Sequence, residues 1–159
     1  PQASLRRELM LLKEELSRKE VEVSRFRDML SIRMVDRVLF GSGKVDITPQ
    51  GRRTLRKVAG LLRELKGKKI LVEGHTDNLP PSRELKQRFP SNWELSTARA
   101  SAVARYLQRF DIEPERFVAL GYGPYRPLAP NDTEEGRALN RRIEIVVTHL
   151  PLRPGEISP

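Results

Sequence analysis

Asp77 and Arg99 are the side chains in this sequence best placed to do chemistry together. Ile70, Leu71 and Val72 read as a short buried strand, Gly74 removes a side chain where that strand gives way to a loop, and Asp77 follows at the strand end. Ser91 with Glu94 forms a capping box, so a helix is expected from Asn92, and Arg99 falls about two turns into it. If strand and helix pack side by side, the carboxylate and the guanidinium can face one crevice. Such a crevice suits a zwitterion, because a carboxylate accepts from an ammonium and a planar guanidinium grips a carboxylate through two parallel bonds. The same spacing suits a purely structural role, in which the two side chains pair with each other or cap backbone groups.

Other chemistries find less support. Hydrolysis needs a metal set, a nucleophile with a base, or a carboxylate pair. The only histidines are His75 and His149, there is no cysteine, and neither histidine has a partner at metal-ligand spacing, so no metal and no cofactor is expected. His75 reads as a satisfied strand-end histidine. Gly41-Ser42-Gly43-Lys44 resembles the end of a phosphate-binding loop, but Val38 stands where the first glycine belongs and Val45 where the magnesium-holding hydroxyl belongs. A nucleotide site is therefore rejected. The 30 Lys and Arg against 21 Asp and Glu give a net charge of +9, which attracts polyanions. Basic and acidic residues are interspersed and aromatics are only 6% of the chain, which argues against nucleic acid as the partner. A basic domain binding nucleic acid or another polyanion is kept as the alternative, and cell-wall polymers and anionic membrane surfaces suit the same charge.

The elements that must position the pair follow from periodicity. Leu5, Leu9, Leu12, Leu16, Val23, Phe26 and Leu30 alternate steps of four and three, interrupted at Lys19, as in a heptad seam. A parallel dimeric coiled coil is expected there; a single amphipathic helix docked on its own domain fits the same pattern. Ser31 to Phe40 reads as the first strand, with Ile32, Met34, Val38 and Phe40 on one side and Asp36 as the break. Thr48-Pro49 starts a helix that buries Leu55, Val58, Ala59, Leu62 and Leu65 and stops at Gly67. The stretch from Leu79 to Ser91 is a long loop over the proposed crevice, either a surface insertion or a part of ligand selection. The helix from Asn92 buries Leu95, Ala98, Ala102, Val103 and Tyr106. Phe117 to Leu120 and the alternating Ile143, Ile145 and Val147 give two further strands, and Tyr122 between glycines reads as a turn and packing element. The expected fold class is α+β, an α/β sandwich with a four-stranded mixed sheet covered by two main helices. Residues 1–31 form the helical linker, 32–149 the domain and 150–159 a flexible tail. No run of 18 apolar residues is present, and a chain that begins at Pro1 reads as a fragment of a longer protein.

Three motifs, EGHTDNLP, NWELSTARASAVARYL and ALGYGPYRPLAPNDTEEGRALNRRIEIVV, lie in that order within roughly Ile32 to Thr148. They resemble the C-terminal peptidoglycan-binding domain of the OmpA/MotB family, and the Trp of the second with the Pro of the first lean toward its MotB-like, flagellar-stator branch. The resemblance implies a non-catalytic peptidoglycan-binding module in the periplasm that anchors a dimeric envelope protein to the cell wall. It implies that Asp77 holds the amino group and Arg99 a carboxylate of diaminopimelate in the stem peptide. Asn78, Leu79 and Asn92 would line the crevice, with Arg142 of the NRR motif as a second cationic contact. It further implies inner-membrane anchoring of the full-length protein, with a channel partner engaged through an upstream transmembrane helix. A wall hydrolase is the remaining enzyme alternative, and the absence of a catalytic set speaks against it.

Overall fold

The computed structural model describes residues 7, 10, 21–26, 29–41 and 44–149. Five strands form one sheet: β1 (Val21–Phe26), β2 (Met29–Val35), β3 (Lys69–His75), β4 (Phe117–Gly121) and β5 (Arg142–Thr148). Their order is β1-β2-β5-β3-β4, with β3 and β4 parallel and every other neighbouring pair antiparallel. Between them run α1 (Asp36–Leu39), α2 (Pro49–Glu64), α3 (Arg83–Lys86), α4 (Asn92–Leu107) and α5 (Glu134–Asn140). The mixed sheet and the two long helices match the expected class, with one strand more than the four expected.

The extra strand comes from residues assigned to the heptad seam. Val21 and Val23 are buried while Glu22 and Ser24 are exposed, a period of two built on β-branched residues that favour a strand over a helix. Val23 lies opposite Ile32 in a hairpin, Phe26 closes β1, and Leu30 is a buried residue of β2 lying opposite Val147. These three positions are therefore sheet residues and not part of a coiled coil, and the sheet begins at Val21 rather than Ile32. Leu5, Leu9, Leu12 and Leu16 lie outside the described residues; the described Arg7 and Met10 are helical and exposed.

The first strand also ends earlier than the apolar run suggests. Asp36 N–H donates to Arg141 O at 2.8 Å beside the β2–β5 ladder, and the chain then makes one helical turn, α1, in which Phe40 N–H donates back to Asp36 O. Val38, Leu39 and Phe40 are all buried. Three consecutive buried side chains do not fit the in–out alternation of a half-exposed strand, and a helical turn accommodates them.

The core lies between one face of the sheet and the two long helices. Ile32, Met34, Ile70, Val72, Ile143, Ile145 and Val147 pack in one cluster with Leu55, Val58, Leu62, Val103 and Leu107, all at most 1% exposed. Each such side chain contributes roughly 1.5–3 kcal/mol on burial. Thr48 caps α2 by accepting from Gly51 N–H, and Pro49 follows in the first turn. At its other end the buried Arg116 donates to the carbonyls of Leu62, Leu65 and Lys68, satisfying acceptors that the helix end leaves unpaired. This ties α2 to the start of β4.

Two glycines set the position of α4. Gly74 and Gly121 lie side by side in the β3–β4 register, and α4 settles directly on them. A Cβ at Gly74 would stand 2.1 Å from Ser96 O, and one at Gly121 would stand 2.7 Å from Thr97 N. Both obstacles are backbone, so neither can swing aside. Gly74→Ala should therefore destabilise the fold by about 3 kcal/mol. Gly60→Ala, within α2 where a Cβ meets only the tip of Arg63 at 3.8 Å, should stabilise it by about 0.5–1 kcal/mol. Chemical denaturation of both variants checks the pair; equal shifts would contradict the close-approach account.

Candidate functional site

The crevice forms where the C-terminal end of β3, the first half of α4, α1 and the chain entering β5 converge. It encloses about 720 Å³ and is lined by Asp36, Asp77, Arg99 and Arg141, with Phe40, Leu79, Pro80, Pro81, Leu85 and Leu95 as apolar wall. The β3–β4 pairing runs on past the strands, through Tyr122 N–H to Gly74 O and Thr76 N–H to Gly123 O, both at 3.0 Å. That extension carries Asp77 to its place, only 6% exposed. Asp77 Oδ1 accepts from Leu79 N–H at 3.0 Å, an Asx-type turn that holds the loop. Asn92, at the first position of α4, donates from its side-chain amide to Asp77 O and Leu79 O, fixing the loop to the helix. The expected capping box is present, with Ser91 N–H donating to Glu94 Oε1 at 2.7 Å and Trp93 N–H to Ser91 Oγ at 3.2 Å.

Asp77 and Arg99 have different ionic partners. Arg99 Nη1 donates to Asp36 Oδ2 at 2.7 Å, while its Nε and Nη2 donate to Lys44 O and its guanidinium lies 5.0 Å from the Phe40 ring centroid. Arg141 Nη1 donates to Asp77 Oδ2 at 2.7 Å, and its Nη2 donates to Glu134 Oε1 at the same distance. The crevice is thus lined by two carboxylate–guanidinium pairs, in which Asp36 and Arg141 are partners that the sequence does not single out.

Of the expected contacts, Asp77, Arg99, Leu79 and Asn92 line the crevice, and Leu79 is 51% exposed at its mouth. Asn78 is turned into a neighbouring groove with Trp93 and Tyr125. Arg142 is not brought to the crevice. It is buried and donates to Glu144 Oε2, Asn140 O and Arg126 O. Adjacent residues at the start of a strand point to opposite sides, so the first arginine of the NRR motif reaches Asp77 and the second does not. His75 is buried and stacks on Tyr122 with centroids 5.0 Å apart, but neither ring nitrogen has a hydrogen-bond partner, so it is not the satisfied histidine expected. Among the described residues no group of three His, Cys, Asp or Glu is placed to hold a metal ion.

The Asp36 carboxyl is pushed above its ordinary value of 3.8, chiefly by burial and also by the Asp77 charge, against the pull of Arg99 and Arg141. Burial works to lower Arg141, but its bonds to Glu134 and Asp77 and the charge of Asp36 outweigh this and leave it raised. For Asp36 the folded-state value lies above the unfolded one. Its favourable contribution is therefore complete below 3.8 and is lost as pH rises through the folded value. The stability of the wild type relative to Asp36→Asn should accordingly increase as pH falls through that window. Denaturation of the two proteins at a series of acidic pH values checks this, and a difference independent of pH would contradict it.

The model of the OmpA family matches residues 39–141, well over half of the chain. Motility protein B of Bacillus subtilis is 32% identical over 137 residues, covering 86% of this chain and 51% of that protein. The chain thus spans about half the length of that curated relative. Among solved structures, a MotB-like protein from Desulfovibrio vulgaris superposes with a TM-score of 0.82 at 30% identity, over 96% of this chain and 94% of that one. The cell wall anchor of the T6SS from Pseudomonas aeruginosa gives 0.80 at 35% identity, over 89% and 96%. The matched segment runs from the end of α1 to Arg141 and so contains Asp77, Asn92, Arg99 and the loop between them: the chain belongs to the OmpA family.

Proposed function

We propose that this chain is a non-catalytic module that anchors an envelope protein to peptidoglycan, its crevice gripping the diaminopimelate of the stem peptide. The observation that carries this reading is the double ion pair. A buried carboxylate and a buried guanidinium, each already desolvated and each with a separate partner, can exchange those partners for the two ends of one amino acid. The ligand ammonium takes the place of Arg141 on Asp77, and its carboxylate takes the place of Asp36 on Arg99. The displaced Arg141, 30% exposed at its side chain, stays at the rim as a second cation for the ligand. On the protein side this exchange desolvates little that was not desolvated before, and the ligand's two charges, which leave water, are repaid by the two ion pairs they form. Leu79 and the two prolines close over the ligand stem.

The Pseudomonas aeruginosa relative is a cell wall anchor and a solved Helicobacter pylori MotB domain of this fold is periplasmic, and both support the reading. We extend to this chain a periplasmic location, inner-membrane anchoring of the whole protein and a channel partner engaged through an upstream transmembrane helix. We also propose that Leu5, Leu9, Leu12 and Leu16 form a dimer seam ahead of a domain that begins at Val21, with 150–159 as a tail. Sedimentation equilibrium should then give a dimer, and Leu9→Glu with Leu16→Glu a monomer of unchanged circular dichroism in its sheet signal. A wild-type monomer at all concentrations would sink the seam.

For the site, Asp77→Ala and Arg99→Ala should each weaken co-sedimentation with diaminopimelate-type peptidoglycan about tenfold or more at about 150 mM salt. Arg141→Ala should weaken it less, and Arg142→Ala should lower stability while leaving the affinity of the folded protein unchanged. Binding indifferent to Asp77 and lost with salt would mean that the basic surface alone holds the polymer.

A further inference from the structure

A recess of about 420 Å³, separate from the crevice, lies between the start of α2 and the second half of α4. Arg52 reaches it from the first turn of α2. Ala102, Arg105, Tyr106 and Arg109 come from α4 and the helical turn that follows it, at steps of three and four that set them on one side. Val45, Asp46 and Ile47 form the remaining wall. That wall is pinned from two sides. Phe40 and Ile47 form a β-bridge and Thr48 N–H donates to Leu39 O at 2.9 Å, while Arg99 reaches from the crevice to Lys44 O. The recess is thus a fixed part of the fold.

Its three guanidinium groups set it apart. Arg99, Arg116, Arg137, Arg141 and Arg142 each have a carboxylate within 3.6 Å. Arg52, Arg105 and Arg109 have no such partner among the described residues, although Asp46 lines the same recess. All three are exposed and so reachable. Cations that share one recess repel each other, and an anion placed between them relieves that repulsion. Arg109 is also oriented: its guanidinium lies 5.4 Å from the centroid of the Tyr106 ring, which Phe110 meets edge-on.

The ligand follows from charge and shape. One planar fork satisfies a carboxylate, whereas several forks around one recess match an anion with more acceptor oxygens, which is phosphate. Three cations against the one carboxylate of Asp46 leave two positive charges in excess, the charge that two successive phosphodiesters neutralise. The apolar surfaces of Val45, Ile47 and Ala102 suit the C–H groups that link them. We propose that this recess binds a polyol-phosphate chain, with Arg52, Arg105 and Arg109 holding consecutive phosphates. A bilayer carries phosphates too, but binding to its surface draws on apolar side chains that enter it. None of the exposed large apolar side chains of the described residues lines this recess. The site is independent of what the crevice holds.

The test titrates the full chain by calorimetry at about 150 mM salt with poly(glycerol phosphate) and, separately, with phosphatidylglycerol vesicles. The soluble polymer should bind. Arg105→Gln and Arg109→Gln should each weaken it about tenfold, as expected for loss of a charge-assisted contact. Arg105→Lys, which keeps the charge without the fork, should recover only part of that loss, and Asp46→Asn should tighten binding. Arg53→Gln and Arg56→Gln remove the same charge from exposed positions of α2 outside the recess, and should each change affinity by less than about twofold. Losses as large in these two variants as in the Arg105 and Arg109 variants would reduce the binding to overall charge and overturn the site. Absence of polymer binding would overturn it as well, and vesicle binding in that case would assign the face to a membrane. Asp77→Ala should leave polymer affinity unchanged; a loss there would move the polymer to the crevice and contradict the proposal.

Discussion

The contact of α4 with the bare backbone of Gly74 and Gly121 is the constraint on which the rest depends. Ordinary side chains at these two paired positions would hold the helix off the sheet. With hydrogen atoms there, Ser96 and Thr97 touch the strands, and the rotation of the helix is fixed about that contact. One turn before it, Asn92 and Trp93 are fixed at the loop; about one turn after it, Arg99 points into the crevice beneath Phe40. A single steric fact thus positions the loop clamp, the exposed indole and the buried guanidinium together.

Electrostatics then decides what the crevice is. Burying Asp77 and Arg99 without partners would cost several kcal/mol for each charge. The fold avoids this by bringing Asp36 from the α1 turn and Arg141 from the entry to β5, so that each of the two buried charges meets an opposite one. All four charged side chains line the crevice. Burial raises the Asp36 carboxyl above its ordinary value against the pull of Arg99 and Arg141. Asp77, by contrast, is held in place by the Leu79 amide as well as by Arg141.

What was legible in the sequence was what neighbouring residues settle among themselves. Thr48-Pro49 and the Ser91–Glu94 box state their helix starts locally, and the runs around Ile70 and Ile143 are too apolar to be anything but buried strand. Asp77 and Arg99 were found because a strand end and a capped helix place them without further knowledge of the fold. The hairpin was missed because Val23, Phe26 and Leu30 satisfy a spacing of three and four as well as an alternation of two, and only pairing with β5 decides between them. Asp36 looked like a flaw in a strand, although a lone carboxylate within an apolar run is itself a signal of a buried charge awaiting a partner. Choosing Arg142 over Arg141 was an error of one residue, which in a strand is an error of side. Trp93 and Tyr125 lie far apart in the chain, and nothing local announces that Gly123 and Ser96 bring them together.

In the binding mode proposed above, a diaminopimelate centre replaces Arg141 on Asp77 and Asp36 on Arg99. The most direct measurement is nuclear magnetic resonance of the arginine Nε–H groups and the aspartate carboxyl carbons during titration with a diaminopimelate-bearing stem peptide. The account predicts that the signals of Arg99, Arg141, Asp36 and Asp77 move together at one affinity, with contacts between the ligand and both Asp77 and Arg99. Peptide binding that leaves these four signals in place would contradict it.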